Sequence, residues 1–412
     1  MISLQTTTNM KQTILLGLLF AFAFTLQAQD ILQWRNNRSG IYTETGLLKA
    51  WPADGPQLLW NYDGLGEGHS SVAISSGKIY LTGMTSGKGY LYVFDTNGKL
   101  LNKKEYGAEW DESYNGTRGT VTANDGNLYL VSGRGEIVCF KESDLSIVWK
   151  KNFLKEYNSE NLKWGICESP LIVGEKLIIT PGGKTHNIVA LNKKTGALIW
   201  VSEGAGTGDL SAYCSPIYLG DQQVPQIVTM TAKHVVGIDV ATGKKLWAFE
   251  QENRTSVHAN TPVYGDNMLL CTSGYGKGSA MLRLTNGGRS VEQVWFSSQL
   301  DSRIGAMVKL GDYAYGSGDN NRFWFCVDWK TGEIKYKDNA MGIGCVIADD
   351  GMLYCYSDRG DFALAKATPE KFDIVSRFKI TLGTDQHWAH PVIYKGILYV
   401  RHGNTLMAYK IS

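Results

Sequence analysis

The chain has 412 residues and a formal net charge of only +2, so its charge favours neither a nucleic-acid partner nor an anionic membrane surface. Glycine is abundant (47 residues) and proline is scarce (9 residues), which is typical of many short strands joined by tight turns. The sequence has no phosphate-binding loop, no paired-histidine zinc motif, no nucleophile-elbow serine and no Cys-x-x-Cys, so those well-marked enzyme classes are excluded.

The first 28 residues have the pattern of a secretory signal peptide. Lys11 precedes an apolar run over residues 14–26, and Leu26-Gln27-Ala28 offers a small-residue cleavage site. No cysteine precedes Cys139, so no lipid anchor is expected at the new N-terminus. We therefore expect residues 1–28 to be removed and the mature protein to be periplasmic or secreted, without a membrane span.

Residues 29–56 show no regular apolar pattern and are rich in Gly, Asn and Thr, so we expect an irregular N-terminal lead-in. Residues 57–62, QLLWNY, then indicate a single strand without a hairpin partner beside it. Residues 57–412 are expected to form one domain.

From Ser71 onward the chain repeats one unit, which opens with an apolar strand, a turn containing Gly or Asp, and a second apolar strand. Eight openings begin at Ser71, Gly119, Ser169, Ser215, Thr261, Gly305, Gly344 and His390. A later hairpin in the unit recurs in residues 189–200, 236–247 and 325–336, and in shorter form in residues 92–101. A period of about 40–50 residues indicates a repeat architecture. The sequence therefore predicts an all-β fold, an eight-bladed β-propeller of four-stranded antiparallel blades.

The eighth unit ends after three strands, and the single strand at residues 57–62 supplies the missing fourth. Its tryptophan matches a tryptophan that recurs in the other units, at Trp60, Trp149, Trp200, Trp247 and Trp295. We predict that this strand completes the last blade and closes the ring, which removes exposed sheet edges. We interpret the repeated tryptophans as packing between blades rather than as a ligand site.

The seven cysteines are an odd number, so at least one is unpaired or pairs between chains. Four of them lie in apolar strand runs and are expected to be small buried hydrophobic residues: Cys139, Cys271, Cys326 and Cys355. Cys167 and Cys214 occupy nearly equivalent places in adjacent units, so a disulfide between them is left open.

The strand–turn–strand unit that ends in Thr-Gly-x-x-x-Trp, repeated around a ring, resembles the pyrroloquinoline-quinone-like (PQQ-like) repeat. Residues 33–60 also resemble the lead-in of a large group of secreted bacterial PQQ-like repeat proteins. The resemblance covers nearly the whole mature chain and implies a propeller related to outer-membrane assembly lipoprotein B and to the quinoprotein alcohol dehydrogenases. Because one fold hosts both scaffolds and enzymes, the resemblance leaves the activity open.

The resemblance also implies what each branch requires. Quinoprotein dehydrogenases of this fold typically have two adjacent cysteines over the cofactor, a calcium ion held by Glu and Asn, and an Asp base, whereas no two cysteines are adjacent here. The assembly lipoprotein is lipid-anchored, and this chain lacks the anchor cysteine. The sequence thus matches neither branch fully.

In a propeller, the segment before each innermost strand lies at one mouth of the central channel, and here these segments are rich in functional side chains. The candidate ligand-binding residues are His69, Arg118, Trp164, Glu168, Tyr213, His258, Asn260, Arg303, His387, Trp388 and His390. Tyr114, Asp209, Asp301 and Asp385 lie in the same segments, whereas His186, His234 and His402 are expected away from the mouth. The plain alternative is that these loops are simply polar.

Two chemical uses of these residues remain open. Glu168, His258, His387 and His390 could hold a metal, but no local spacing supports it, so no metal is predicted. Asp385 and His387 could form a base with an orienting carboxylate, which would suit a hydrolase or lyase.

Our leading hypothesis is an exported, non-enzymatic and monomeric propeller that binds a protein, peptide or saccharide at the mouth, with no cofactor. The alternative is a periplasmic quinoprotein-type oxidoreductase that uses PQQ and calcium to oxidise an alcohol or sugar. The missing cysteine pair and the unplaced calcium ligands favour the first.

Overall fold

A computed structural model describes residues 29–206 and 208–412. The predicted signal peptide, residues 1–28, lies outside these residues. The all-β prediction is confirmed: the described chain forms eight four-stranded sheets. Helical structure in that part of the chain is limited to α1 (Arg35–Arg38), α2 (Phe153–Glu156) and a 3-10 turn (Asn286–Gly288). No helix within these residues is long and apolar enough to cross a membrane.

The blades follow one another in chain order, and in blades 1 to 7 the strands run in sequence from the inside outward. Blade 1 contains β2 (Ala73–Ser75), β3 (Lys78–Thr85), β4 (Lys88–Asp95) and β5 (Leu100–Ala108). Blade 2 contains β6 (Thr122–Asn124), β7 (Asn127–Val131), β8 (Glu136–Lys141) and β9 (Ile147–Asn152). Blade 3 contains β10 (Leu171–Val173), β11 (Lys176–Ile179), β12 (Ile188–Asn192) and β13 (Leu198–Ser202). Blade 4 contains β14 (Ile217–Leu219), β15 (Gln226–Met230), β16 (His234–Asp239) and β17 (Lys245–Glu250).

The second half of the ring repeats this arrangement. Blade 5 contains β18 (Val263–Gly265), β19 (Met268–Ser273), β20 (Gly278–Thr285) and β21 (Ser290–Ser297). Blade 6 contains β22 (Val308–Leu310), β23 (Tyr313–Ser317), β24 (Trp324–Asp328) and β25 (Ile334–Asp338). Blade 7 contains β26 (Gly344–Asp349), β27 (Met352–Ser357), β28 (Asp361–Lys366) and β29 (Asp373–Lys379). Blade 8 contains β30 (Val392–Tyr394), β31 (Ile397–His402), β32 (Thr405–Lys410) and β1 (Leu58–Tyr62).

Strand β1 closes the ring, as predicted. It pairs antiparallel with β32, with Tyr62 opposite Leu406 and Leu58 opposite Tyr409. The amide of Lys410 also donates to the carbonyl of Gln57 at 2.8 Å. The first and last strands of the domain therefore share one sheet, and no blade is left with three strands.

The recurring Thr-Gly turn is a local consequence of its sequence. In blade 3, Asn192 Oδ1 accepts hydrogen bonds from the amides of Lys194 and Thr195, which bends the chain after β12. Gly196 then adopts φ +69°, a left-handed conformation that glycine takes at little cost. Asp328 forms the same turn in blade 6.

The glycine of this turn also packs against the ring of a tryptophan from the preceding blade. A Cβ on Gly196 would lie 2.8 Å from the Trp149 ring. The indole Nε1 donates to a backbone carbonyl of the same turn in four cases: Trp60 to Thr96 (3.1 Å), Trp149 to Lys193 (2.9 Å), Trp200 to Val240 (3.1 Å) and Trp295 to Trp329 (3.1 Å). Trp247 differs, since it donates to Gln226 of its own blade at 2.8 Å, and Gln226 in turn donates to Gly288 of blade 5. The interpretation of these tryptophans as interblade contacts is confirmed.

The lead-in, residues 29–56, crosses the channel end opposite the mouth. Its carbonyls at Ile31 and Leu32 accept hydrogen bonds from Ile74 and Ala123 on the innermost strands, each at 2.7 Å. Farther along, the amide of Tyr42 donates to Ala348 of β26 at 2.8 Å. The segment is irregular in its dihedral angles but is packed against the ring.

Two arginines of the lead-in reach into the channel. Arg35 is 1% exposed and donates to the carbonyls of Val346 (2.8 Å) and Met307 (3.0 Å). Arg38 donates to the carbonyls of Ser169 (3.2 Å) and Pro170 (2.9 Å) on the other side of the ring. Burial lowers the pKa of both guanidinium groups to about 10, so both remain charged at neutral pH. These contacts join blades 6 and 7 to blade 3 across the channel.

All seven cysteines are free thiols, so the disulfide left open between Cys167 and Cys214 does not form. Each of these two thiols instead approaches a nearby carbonyl, that of Gly165 for Cys167 and that of Ser215 for Cys214. The four strand cysteines are buried, as predicted.

Candidate functional site

The mouth consists of two sets of loops at the same end of the ring. Strand 1 of each blade runs away from the mouth and strand 2 returns to it, because neighbouring strands are antiparallel. Hairpins between strands 2 and 3 therefore lie beside the loops that join one blade to the next. This corrects the expected placement of His186, His234 and His402, which lie on such hairpins or at their edges.

Trp388, on the loop before β30, gathers aromatic side chains from two other interblade loops. Its ring centroid lies 5.1 Å from that of His69 and 5.4 Å from that of Tyr114. Tyr114 is 50% exposed, whereas Trp388 is half-buried. The sequence placed all three residues at the mouth, and the structure brings them into contact.

A second aromatic group lies on the loops before blades 3 and 4. The rings of Trp164 and Tyr213 are 6.1 Å apart between centroids. Lys163 Nζ lies 4.8 Å from the Trp164 ring, within the range of a cation–π interaction.

The two candidate arginines lie near aromatic faces of the mouth. Arg118 donates through Nη1 to Gly116 at 3.0 Å and through Nη2 to the carbonyl of Tyr114, and its Cζ is 5.9 Å from the Trp110 ring. Arg303 lies 5.9 Å from the ring of Tyr275, and its Nε is 3.5 Å from Asp319 Oδ1. Trp110 and Tyr275 were not among the sequence candidates, and the hairpin position of Tyr275 is the signal that could have identified it.

Three candidate histidines are buried rather than presented to solvent. Burial lowers the pKa of His69 to about 3, with a further contribution from the nearby Arg118 charge, and lowers that of His258 to about 4. His258 Nε2 lies 3.2 Å from the carbonyl of Ala232. His390 does not join the open mouth: its Nδ1 is 2.8 Å from Arg35 Nη1, and burial together with the Arg35 charge holds its pKa well below the usual range.

His387 forms a separate pair with His402. Their rings stack with centroids 3.6 Å apart, and His387 Nδ1 is 2.6 Å from the hydroxyl of Tyr356. Burial, with the neighbouring His402, lowers the pKa of His387 to about 4. The partner expected for a base, Asp385, instead contributes only its backbone carbonyl, to His402 at 2.9 Å. The aspartate–histidine dyad considered from the sequence is therefore not formed.

The buried polar groups of the mouth loops connect to neighbouring backbone. Asn260 donates to the carbonyl of Ser302 at 2.5 Å and accepts from the amide of Ala306 at 2.9 Å. Asp209 accepts from the Lys233 amide at 2.8 Å and contacts His234 Nδ1 at 3.0 Å. Asp301 accepts from the Asn320 amide at 3.1 Å. These side chains hold adjacent loops together.

Glu168 differs from Asp209 and Asp301, the other buried carboxylates described at the mouth. Oε1 accepts from the Thr180 amide at 2.8 Å, but Oε2 is buried and has no partner among the described residues. Burial raises the pKa of Glu168 to about 7, against a smaller opposing influence of Arg38.

Glu168, His258, His387 and His390 do not converge. In the described chain, no three His, Cys, Asp or Glu side chains form a group that could hold a metal ion.

The protein is an eight-bladed β-propeller whose mouth carries aromatic and cationic side chains. Comparison with known proteins identifies its family. A family model described as outer membrane protein assembly factor BamB matches residues 87–338, which is more than half of the chain. The chain therefore belongs to this PQQ-like propeller family. A comparison with curated proteins gives no match.

Solved structures agree on the fold. BamB from Moraxella catarrhalis has 15% sequence identity and a TM-score of 0.64, over 86% of this chain and 99% of that chain. A europium-containing methanol dehydrogenase has 12% identity and a TM-score of 0.68, over 91% and 90%. Quinohemoprotein alcohol dehydrogenase from Comamonas testosteroni has 12% identity and a TM-score of 0.66, over 93% and 80%. These neighbours include an assembly factor and two dehydrogenases, so the likeness establishes the fold and not the activity.

Proposed function

We propose that this chain is an exported, monomeric and non-enzymatic binding propeller whose mouth recruits a polypeptide or a saccharide. The observation that carries the proposal is the contact of Trp388 with Tyr114 beside Arg118. An exposed tyrosine on a half-buried tryptophan offers a flat apolar surface, and a neighbouring guanidinium offers donors for carbonyl, carboxylate or hydroxyl groups. Polypeptides are the first candidate, since the family description is that of an assembly factor.

Backbone strain at the mouth supports a binding role. Tyr114 and Tyr213 have φ values of +54° and +74°, a region that bulky residues rarely adopt. Such conformations cost about 1–3 kcal/mol each and cluster at functional sites. The loops thus hold these two aromatic residues in conformations that their sequences alone would rarely adopt.

The protonation of three mouth histidines argues against their acting as general acids. His69, His258 and His387 all have pKa values lowered to about 4 or below, so each is neutral at pH 7 and a poor proton donor. Asp209 and Asp301 are engaged by backbone amides. The pair considered from the sequence, Asp385 with His387, is not formed, so these histidines give no support to a hydrolase or lyase.

The quinoprotein alternative does not fit the residues of the channel. The described residues contain no group of three His, Cys, Asp or Glu side chains that could hold an ion, and no two cysteines of the chain are adjacent. Arg35 and Arg38 from the lead-in already occupy the interior of the channel. Addition of PQQ with Ca²⁺, followed by gel filtration, should leave no quinone absorbance on the protein, and retained absorbance would restore the oxidoreductase hypothesis.

The binding proposal is tested with peptide and glycan arrays, each hit being followed by titration calorimetry. Trp388→Ala combined with Tyr114→Ala should weaken the affinity of the hit by about tenfold or more, because both faces of the aromatic surface are removed. Phe296→Ala, which removes a 45% exposed aromatic ring from the outer strand β21, is the matched control and should leave affinity unchanged. A hit that survives the double substitution but is lost with Phe296→Ala would place the binding site on the outer rim.

A further inference from the structure

A second cleft lies at the opposite end of the channel from the mouth, between the lead-in and the innermost strands of blades 3 to 6. Its volume is about 480 Å³. This volume is within the range of small-molecule sites, roughly 300–1,000 Å³. The lead-in contributes Gln33 and Arg38, and the strand ends contribute Tyr218 and Val263.

The charged groups of this cleft all have one sign. Among its lining residues the ionisable side chains that carry charge at neutral pH are Arg38 and Lys309, and none is a carboxylate. Lys309 Nζ lies 3.0 Å from Asp266, a half-exposed residue outside the lining, and 5.2 Å from the Trp329 ring. Lys309 also donates to the carbonyl of Gly311 at 2.8 Å and its charge is offset by Asp266, so Arg38 is the cation of the lining without an ion-pair partner among the described residues.

Buried polar atoms of Arg38 and Gln33 that have no hydrogen-bond partner indicate that the cleft binds a ligand. Arg38 uses Nη2 for two carbonyls, but Nε and Nη1 are buried and have no partner among the described residues. Gln33 donates to Asn37 at 2.8 Å, while its Oε1 is a buried acceptor without a partner. Buried donors of a charged group are costly when unsatisfied, and an anion is the partner that satisfies them best.

The remaining wall is apolar and aromatic. Ile217, Pro262 and Val263 line it together with Tyr218, which is 43% exposed. The Tyr264 ring is fixed by its hydroxyl, which donates to Asp221 at 2.6 Å. Half of a ligand in this cleft would contact these rings and aliphatic groups, and the other half would face Arg38.

We propose that this cleft is a second binding site, independent of the mouth, for a small organic carboxylate with an apolar body. In this proposal the carboxylate reaches Nε and Nη1 of Arg38 after a small displacement of the wall, since both atoms are buried in the empty cleft, and it shares the Lys309 ammonium with Asp266. The apolar body contacts Tyr218 and Val263. An N–H or O–H group on the ligand would donate a hydrogen bond to Gln33 Oε1.

Two acid–amide pairs test this proposal by calorimetry: indole-3-acetate against indole-3-acetamide, and octanoate against octanamide. Within each pair the shape is retained and the charge is lost, so the acid should bind about tenfold or more tightly than the amide. The aromatic and aliphatic pairs distinguish which apolar body the cleft prefers. Equal binding of acids and amides, or no measurable binding of either acid, would overturn the proposal.

Single substitutions locate the binding. Lys309→Gln and Tyr218→Ala should each weaken acid binding by about fivefold or more, whereas Lys335→Gln on β25 and Tyr114→Ala at the mouth should not change it. Because Arg38 also supports the fold, the test relies on Lys309 and Tyr218 and not on a replacement of Arg38. Binding that is unaffected by Tyr218→Ala and lost with Tyr114→Ala would assign the carboxylate to the mouth and refute the second site.

Discussion

At one end of the channel Tyr114 and Trp388 extend from loops and contact each other near solvent, whereas at the other end the backbone of the lead-in is hydrogen-bonded to the innermost strands. Arg35 strengthens the second end, since its guanidinium lies among carbonyls of blades 6 and 7 and beside His390. The same blade geometry thus supports an open end with exposed aromatic residues and a covered end whose backbone is hydrogen-bonded to the ring. A site that must admit a large partner belongs at the open end, and a site for a small molecule fits under the cover.

The largest expected effect comes from removing the cover and the closing strand together. A chain that starts at Gly64 lacks the lead-in and β1, so β32 becomes an exposed edge and the channel loses both arginines. We expect aggregation or failure to fold, measured by gel filtration and thermal unfolding. A chain that starts at Gln29 is the control. A monomeric product with an unchanged melting temperature would refute ring closure by β1.

The next largest effect concerns the contacts between neighbouring blades, which support both ends of the channel. Trp200→Ala removes a buried indole and its hydrogen bond to Val240, and should lower the free energy of unfolding by about 3–5 kcal/mol. Urea unfolding measures this change, with Phe296→Ala as the exposed aromatic control. Ligand binding at the mouth should persist in the folded variant. A variant with normal stability that no longer binds the ligand would show that Trp200 belongs to the binding site and not to the interblade contacts.

Arg35→Gln tests the covered end alone. It removes the bonds to Val346 and Met307 and leaves buried carbonyls unsatisfied, so we expect a loss of about 2–4 kcal/mol in the free energy of unfolding. Arg283→Gln removes an exposed arginine from blade 5 and should cost less than 1 kcal/mol, roughly the value of a surface ion pair. Equal effects of the two substitutions would show that the lead-in is not fastened by Arg35.

The smallest effect is a pH dependence at Glu168, between the two ends. The pKa of this carboxyl rises from 4.5 to about 7 on folding, so the folded state binds the proton more tightly and stability falls as pH rises through that interval. Glu168→Gln should therefore raise the free energy of unfolding at pH 8 by about 1–3 kcal/mol and leave it unchanged at pH 4. Glu175→Gln, at an exposed position, is the control. If the free energy of unfolding of the wild type and of Glu168→Gln had the same dependence on pH, the raised pKa of Glu168 would be refuted.

The architecture could be predicted from the sequence because the same local strand-and-turn pattern recurs in eight units. Turn chemistry such as that of Asn192 and Gly196 fixes the outer hairpins that contain it, and this signal lies within a few residues of its effect. The closing contact of residues 57–62 is long-range, but it could be predicted because only the eighth unit lacks a fourth strand.

The candidate site was only partly predictable, since loop position determines the end of the ring but not the direction of a side chain. Trp388, His69 and Tyr114 meet as a cluster, but His390, two residues after Trp388, turns inward to Arg35. Arg35 and Arg38 lie in a segment without periodicity, where nothing in the sequence indicates that they enter the channel. His402 was misplaced because the return of strand 2 to the mouth was not considered.

The pairing of β1 with β32 has a consequence for the timing of folding. At about 5–20 residues per second, the chain between these strands takes on the order of tens of seconds to synthesise. Throughout that interval β1, with its exposed Leu58 and Leu59, has no strand beside it, and neither does the covering segment before it. Ring closure therefore waits for β32, and a chain in which β32 is not yet available would present the uncharged, apolar strand β1 to any chaperone or aggregate nearby.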